Sequence, residues 1–247
     1  MLHRPSSEGT IVIGQPAHAW VAGQIARAWA EPFDPWEEVC LGADLHDIAW
    51  NEWERSPERD PETGLPYTFS ALPRLRRLEL WSGAAELVLP QSRYAALLVS
   101  LHGTLLVERF PPEGMDDVAH ALGDYTQREH DFQARVLASL RGDRLYDRYA
   151  SAEVVERNRE LIFAWDGLSL ALLHGITSER TVTGHSLAPV DGDRARVTVS
   201  PWPFRKQEVN LVCEGRLLTE TYASERDLRH GLAEAPWQTI ETGLVPR

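Results

Sequence analysis

Leu45-His46-Asp47-Ile48-Ala49-Trp50-Asn51-Glu52-Trp53-Glu54 sets a histidine directly before an aspartate inside a tryptophan-rich stretch with helical spacing. Neighbouring residues on a helix diverge by about 100°, so this imidazole and carboxylate would flank one pocket from a single turn. A helix is expected from about Trp36 to Trp53, with Val39, Ala43, His46, Trp50 and Trp53 on one stripe. Asp47 lies on the adjacent row with Cys40, Ala43 and Glu54. Both polar residues therefore point inward. An isolated aspartate in such a place usually serves a buried salt bridge or a cap, so the pair gains meaning only from its company.

That company is three polar residues on other apolar faces, where an unpaired polar group is costly. His18 stands in line with Ala22, Ile25 and Trp29, in a helix that Pro16 opens. His102 joins Leu98, Leu101 and Leu105 in a helix that Ser92 is placed to cap. Asp166 shares a row with Val155, Ile162, Leu170 and Leu173 in a helix from Ala152 to His174. For each histidine alone, the other reading is a core residue bonded to a backbone carbonyl. A carboxylate between Ile and Leu is expensive to ionise unless an arginine or a metal faces it.

Between these helices, residues 55 to 69 carry Pro57, Pro61, Gly64 and Pro66, which excludes a regular element. The segment leaves from the end of the His-Asp helix and is either a lid or substrate wall, or a rigid surface connection. Ser70 is read as the cap of a helix bearing Leu72, Leu75, Leu78 and Trp81. Its arginines, Arg74, Arg76 and Arg77, are assigned to a solvated face in preference to phosphate binding. Pro111-Pro112-Glu113-Gly114 breaks the chain before a long polar helix from about Met115 to Leu140, interruptible at Gly123, with His120 and His130 on its surface.

From about Thr181 the pattern alternates. Arg196 to Val199 and Glu208 to Cys213 read as strands, Glu214-Gly215-Arg216 as a hairpin turn, residues 224 to 233 as a short helix and Trp237 to Thr242 as a further strand. Ile11-Val12-Ile13 is a short strand that would join them. The expected fold is mainly α: a helical domain over 1–178, with a small antiparallel sheet formed by a β-rich subdomain over 179–243. Leu244-Val245-Pro246-Arg247 reads as a cut protease site left by expression, outside the fold.

Composition limits the function classes. The chain has 247 residues, 43% of them hydrophobic, enough for one sizeable core. Lys and Arg number 25 against 37 Asp and Glu, a net charge of −12, which disfavours a non-specific grip on nucleic acid polymers or an anionic membrane. Cys40 and Cys213 are too few and scattered for a disulfide framework or a cysteine-based zinc motif, and a cytoplasmic location is expected. Neither a signal peptide nor an apolar run of membrane-crossing length is visible.

His18, then His46-Asp47, then Asp166, each on its own helix, resembles the HD-domain superfamily of helical, metal-dependent phosphohydrolases. A bacterial branch of it is similar more narrowly, through Gln15-Pro16-Ala17-His18, the helix from His46 to Glu54, and Thr63-Gly64-Leu65-Pro66. The resemblance implies an HD-domain-like helical bundle in which His18, His46, Asp47 and Asp166 ligate a divalent metal. His102 would be a second-metal ligand or an acid near the substrate. The interval from Asp47 to Asp166 is long for a compact member, which is a departure from the pattern.

Mixed imidazole and carboxylate donors suit Mn, Fe, Zn, Co or Ni without choosing among them. The function implied is hydrolysis of a small phosphorylated molecule or nucleotide, with Asp47 orienting a metal-activated water and His102 protonating the leaving oxygen. Self-association into a homo-oligomer is left open. The alternative is a non-catalytic HD-like protein that binds a ligand or partner in a cavity lined by tryptophans among Trp20, Trp29, Trp36, Trp50, Trp53 and Trp165. Core packing is the ordinary use of most of them.

Overall fold

Two short strands, β1 (Leu2–Pro5) and β2 (Thr10–Ile13), open the chain in the computed structural model, which describes residues 1–110 and 116–247. The expected break at Pro111 to Gly114, and Met115 after it, lie outside the described residues. Helices follow as α1 (Gln15–Ala28), α2 (Trp36–Leu45), α3 (Trp50–Glu54), α4 (Arg74–Trp81), α5 (Ala84–Val88), α6 (Arg93–Arg109), α7 (Asp116–Leu140) and α8 (Ala152–His174). The chain then forms β3 (Arg180–Val182), β4 (His185–Val190), β5 (Asp193–Ser200), β6 (Val209–Leu218), α9 (Glu225–Glu234) and β7 (Trp237–Pro246).

The mainly α expectation, a helical bundle with a small antiparallel sheet, is corrected by this architecture. About half of the chain is helical and about a fifth is strand, and the seven strands form one mixed sheet in the order β1-β2-β6-β7-β5-β4-β3. β5 and β7 run parallel, while the other neighbours are antiparallel. Strands from both sides of residue 178 share the sheet. Its buried side, including Val197, Val199, Leu211, Cys213 and Ile240, belongs to the same apolar cluster as the helices, so the sheet is a wall of the core. An all-α class does not describe this fold.

Two local readings concealed the size of the sheet. Gly215 sits within β6, where it pairs with Gln238, instead of turning a hairpin. A Cβ at Gly215 would stand 2.6 Å from Ile11 Cγ2 and 2.9 Å from the Val12 carbonyl, so this glycine permits the close approach of β2. Leu244-Val245-Pro246, read as outside the fold, continues β7. Leu244 is 1% exposed and lies between Val197 and Val209.

β2 covers only Arg216 to Leu218 of the ten-residue β6. Farther along, Gln24 of α1 completes the edge: its amide donates to the Val212 carbonyl at 2.8 Å and accepts from the Val212 N–H at 3.0 Å. α1 is thereby docked on the sheet, with α2 and α8 packed against it. α8 begins at a Ser151 cap that accepts from the Val154 N–H and ends before Gly175 at φ +89°. It buries Leu161, Ile162, Trp165, Leu168 and Leu172 at the centre of the molecule.

The expected helix from Trp36 to Trp53 is interrupted. α2 stops at Leu45, and residues 46–49 form a tight turn in which Ile48, Trp50 and Asn51 donate to carbonyls three residues back. α4 starts after Pro73, three residues beyond Ser70, which does not cap it. α6 keeps its Ser92 cap, through the Ala95 N–H, and α7 is continuous through Gly123. Among the described residues no helix is long and apolar enough to cross a membrane.

Candidate metal centre

The five residues singled out by their place on apolar faces come together. His18 arrives from the first turns of α1, His46 and Asp47 from the turn after α2, His102 from the middle of α6 and Asp166 from α8. They are 0%, 5%, 7%, 2% and 6% exposed, respectively. His120 and His130 of α7 are exposed and stand apart. The Leu45-to-Trp50 turn matters here, because its three-residue hydrogen bonds aim two consecutive side chains into one cluster.

His18 Nε2 lies 3.1 Å from His46 Nε2, 3.0 Å from Asp47 Oδ2 and 3.5 Å from Asp166 Oδ1. His46 Nε2 is 3.7 Å from the same oxygen of each carboxylate. Tautomers follow from the other ring nitrogens. His46 Nδ1 is 2.9 Å from the Ala43 carbonyl, which can only accept, so Nδ1 carries the hydrogen. Ser169 donates to the Asp166 carbonyl at 2.8 Å, leaving its oxygen to accept from His18 Nδ1 at 2.7 Å.

In their neutral forms His18 and His46 therefore turn two lone pairs toward each other at 3.1 Å, flanked by two carboxylates. Such a group is repulsive unless a cation, a proton or a metal ion, joins it. Donors about 2.1 Å from a divalent ion are separated by about 3.0 Å in octahedral and about 3.4 Å in tetrahedral arrangements. The contacts run from 3.0 to 3.7 Å, within that range or up to about 0.3 Å beyond it, a displacement that small side-chain shifts absorb, so the residues present fit a divalent metal.

Electrostatics show the same demand for positive charge, which a proton on His46 meets in competition with a metal ion. Burial alone would strip the proton from His46, but Asp47 and Asp166 outweigh it and raise this imidazole to about 9. Burial also opposes the Asp47 charge, yet His46, His18 and His102 hold its carboxyl well below the usual carboxylate range. Asp166 is likewise lowered, its burial outweighed by the hydrogen bond to His46 and the charges of the imidazoles. His102 is pushed down to about 4 by burial and by His46. Among the described residues neither of its nitrogens has a hydrogen-bond partner, and Nε2 lies 3.5 Å from Asp166 Oδ2. Donor atoms of His46, His102 and Asp166 lie within 4.8 Å of one another, a second group able to grip an ion.

The supporting roles of three further residues, two of them within the quoted motifs, escaped the sequence reading. Gln15 donates its side-chain amide to Asp47 Oδ2 at 2.9 Å, while its backbone N–H is held by Glu54 Oε1 at 2.7 Å. Burial pushes Glu54 up to about 7, against the pull of the amino terminus. Ser169 fixes His18. Its place three residues after Asp166, on the same helical face, was the available signal.

The centre opens into a cavity of about 430 Å³ whose floor includes Gln15, Asp47, His102 and Asp166. Trp50, Phe69, Trp81, Phe110 and Phe163 make much of its wall. Of the six tryptophans expected near a cavity, only Trp50 lines this one, and Trp20 is 52% exposed. Phe69, at the end of the irregular 55–69 segment, is a wall residue. Arg74 and Arg77 also line the cavity, which corrects their assignment to a solvated face.

No curated protein and no solved structure matches the chain. A family model does match, over residues 1–220, which include every residue of the centre and of the cavity wall. The chain belongs to the family described as Protein of unknown function (DUF3891).

Proposed function

We propose that the chain is a metal-dependent phosphohydrolase with an HD-type centre, acting on a small phosphorylated molecule. The observation that carries this reading is the approach of two imidazole Nε2 atoms to 3.1 Å beside two buried carboxylates, with both Nδ1 atoms tied to partners outside the group. His18, His46, Asp47 and Asp166 are the ligands. When bound, the divalent ion supplies Lewis acidity, lowering the pKa of a water and offsetting charge that builds on phosphorus.

The chain's own groups do the rest. Ala43 and Ser169 hold the two imidazoles with Nε2 inward. Asp47, steadied by the Gln15 amide, accepts a hydrogen bond from the attacking water and so orients it. His102 is kept neutral chiefly by burial, so it serves the ester oxygen as an N–H donor in place of a resting imidazolium. The aromatic walls exclude bulk water. A cytoplasmic location belongs to the same reading, supported by Cys40 and Cys213, which are buried and unpaired.

Metal analysis of protein purified without chelator, combined with hydrolysis of para-nitrophenyl phosphate, tests the proposal. Stoichiometric metal and hydrolysis are expected, and both are lost in Asp47→Ala. A metal-free wild type whose stability is unchanged by Asp47→Ala would overturn the enzyme and leave a binding protein.

A further inference from the structure

Helix α4 carries Arg74, Arg76 and Arg77, and the structure separates them. Arg76 turns outward to Glu58 at 3.1 Å and Glu79 at 2.7 Å. Arg74 and Arg77, three residues apart and so on one face, line the cavity above the metal centre. Among the described residues neither has a carboxylate partner. Arg74 donates to the Phe110 carbonyl at 2.7 Å, and Arg77 Nε is buried with no hydrogen-bond partner. Side by side on a cavity wall, in a chain of net charge −12, two guanidiniums without a carboxylate partner among the described residues form a local concentration of positive charge facing the carboxylate-bearing centre. Burial and the charge of Arg74 lower the Arg77 pKa, which shows that the two cations disfavour one another.

We propose that Arg74 and Arg77 clamp the phosphate of a monoester whose organic body is apolar and aromatic. A dianionic phosphate satisfies both forks at once, a recognition that guanidinium geometry favours. It would also enter a site whose floor is carboxylate-rich, where it needs positive charge on its outer side. The body is selected by the remainder of the wall. Phe69, Trp81, Phe163 and Leu170 offer faces for rings and few hydrogen-bonding groups, so a polyhydroxylated sugar phosphate would leave hydroxyls unpartnered. A cavity of about 430 Å³ leaves space for a ring system beyond the phosphate. The choice of phosphate as the anion rests on the phosphohydrolase reading, and the arginines deepen that reading by naming the substrate class.

Calorimetric titration of the full chain, with and without its metal, with the non-hydrolysable probes phenylphosphonate and methylphosphonate tests this. Phenylphosphonate binds at least tenfold more tightly than methylphosphonate. Arg74→Gln and Arg77→Gln each weaken phenylphosphonate at least tenfold, and Arg76→Gln leaves it unchanged, with thermal melting confirming that all three fold. Failure of phenylphosphonate to bind, equal affinity for the two probes, or indifference to Arg74→Gln and Arg77→Gln overturns the clamp. Metal content and para-nitrophenyl phosphate hydrolysis are read separately. Arginine-dependent phenylphosphonate binding by a metal-free, inactive chain supports the clamp while removing the catalytic reading. Metal and hydrolysis with unaltered arginine variants remove the clamp alone.

Discussion

A hydroxyl three residues after Asp166 governs which nitrogen of His18 faces the centre, because Ser169 spends its proton on a backbone carbonyl and can only accept from Nδ1. Removing it frees the ring to flip or to change tautomer. Ser169→Ala is expected to lower metal affinity about ten- to a hundredfold, measured by competition with a chelator, while leaving the fold intact. Glu54 gives a prediction that depends on pH. Its carboxyl is raised by burial from 4.5 to about 7, so it favours the fold while protonated and loses that contribution as pH rises through this window. The unfolding free energy of Glu54→Gln minus that of wild type should therefore increase between pH 4.5 and 7, by about 3 kcal/mol at most. A difference that shrinks over this range would contradict the assignment. The five polar residues of the centre were legible in the sequence because a charge on an apolar stripe is an anomaly that periodicity exposes. Gln15, Ser169, Arg74 and Arg77 were not, since amides, hydroxyls and arginines have ordinary uses on any helix and periodicity does not say what stands opposite.

At the scale of elements, apolar spacing located α1, α6 and α8, and the Ser92 and Ser151 side chains set the starts of two of them. The His-Asp segment was harder. A single 3.6-residue stripe from Val39 to Trp53 continues across the turn at 46–49, because a tightened turn hardly disturbs which side chains face inward. In β6, a glycine between charged residues carries the pattern of a hairpin turn, but Gly215 serves the approach of β2, whose end leads through Gly14 into the helix that holds His18. Gly215→Ala should press β2 away and cost about 1–3 kcal/mol in denaturant unfolding. Unchanged stability would mean that β2 does not lie where its register with β6 places it.

For the whole molecule, the strands the sequence did not disclose are β1, β3 and β4, which are three to six residues long and pair with near neighbours in the chain. β2, read as a strand that would join the C-terminal ones, pairs with β6 across some two hundred residues and carries β1 at its outer edge, and β7 is completed by Leu244, buried between β5 and β6. Strands so short show too little alternation to be told from loops, which is why a large mixed sheet read as a small C-terminal one. The consequence is functional: the sheet fixes α1 through Gln24, α1 and α8 pack together, and His18 meets Asp166 only because they do. The most direct test of that convergence is an anomalous difference map from crystals of the protein with Mn²⁺, recorded so that manganese scatters anomalously. The account predicts one strong peak within about 2.3 Å of His18 Nε2, His46 Nε2, Asp47 and Asp166 together. An empty centre, or an ion held at the surface with His18 and Asp166 turned away from it, would contradict it.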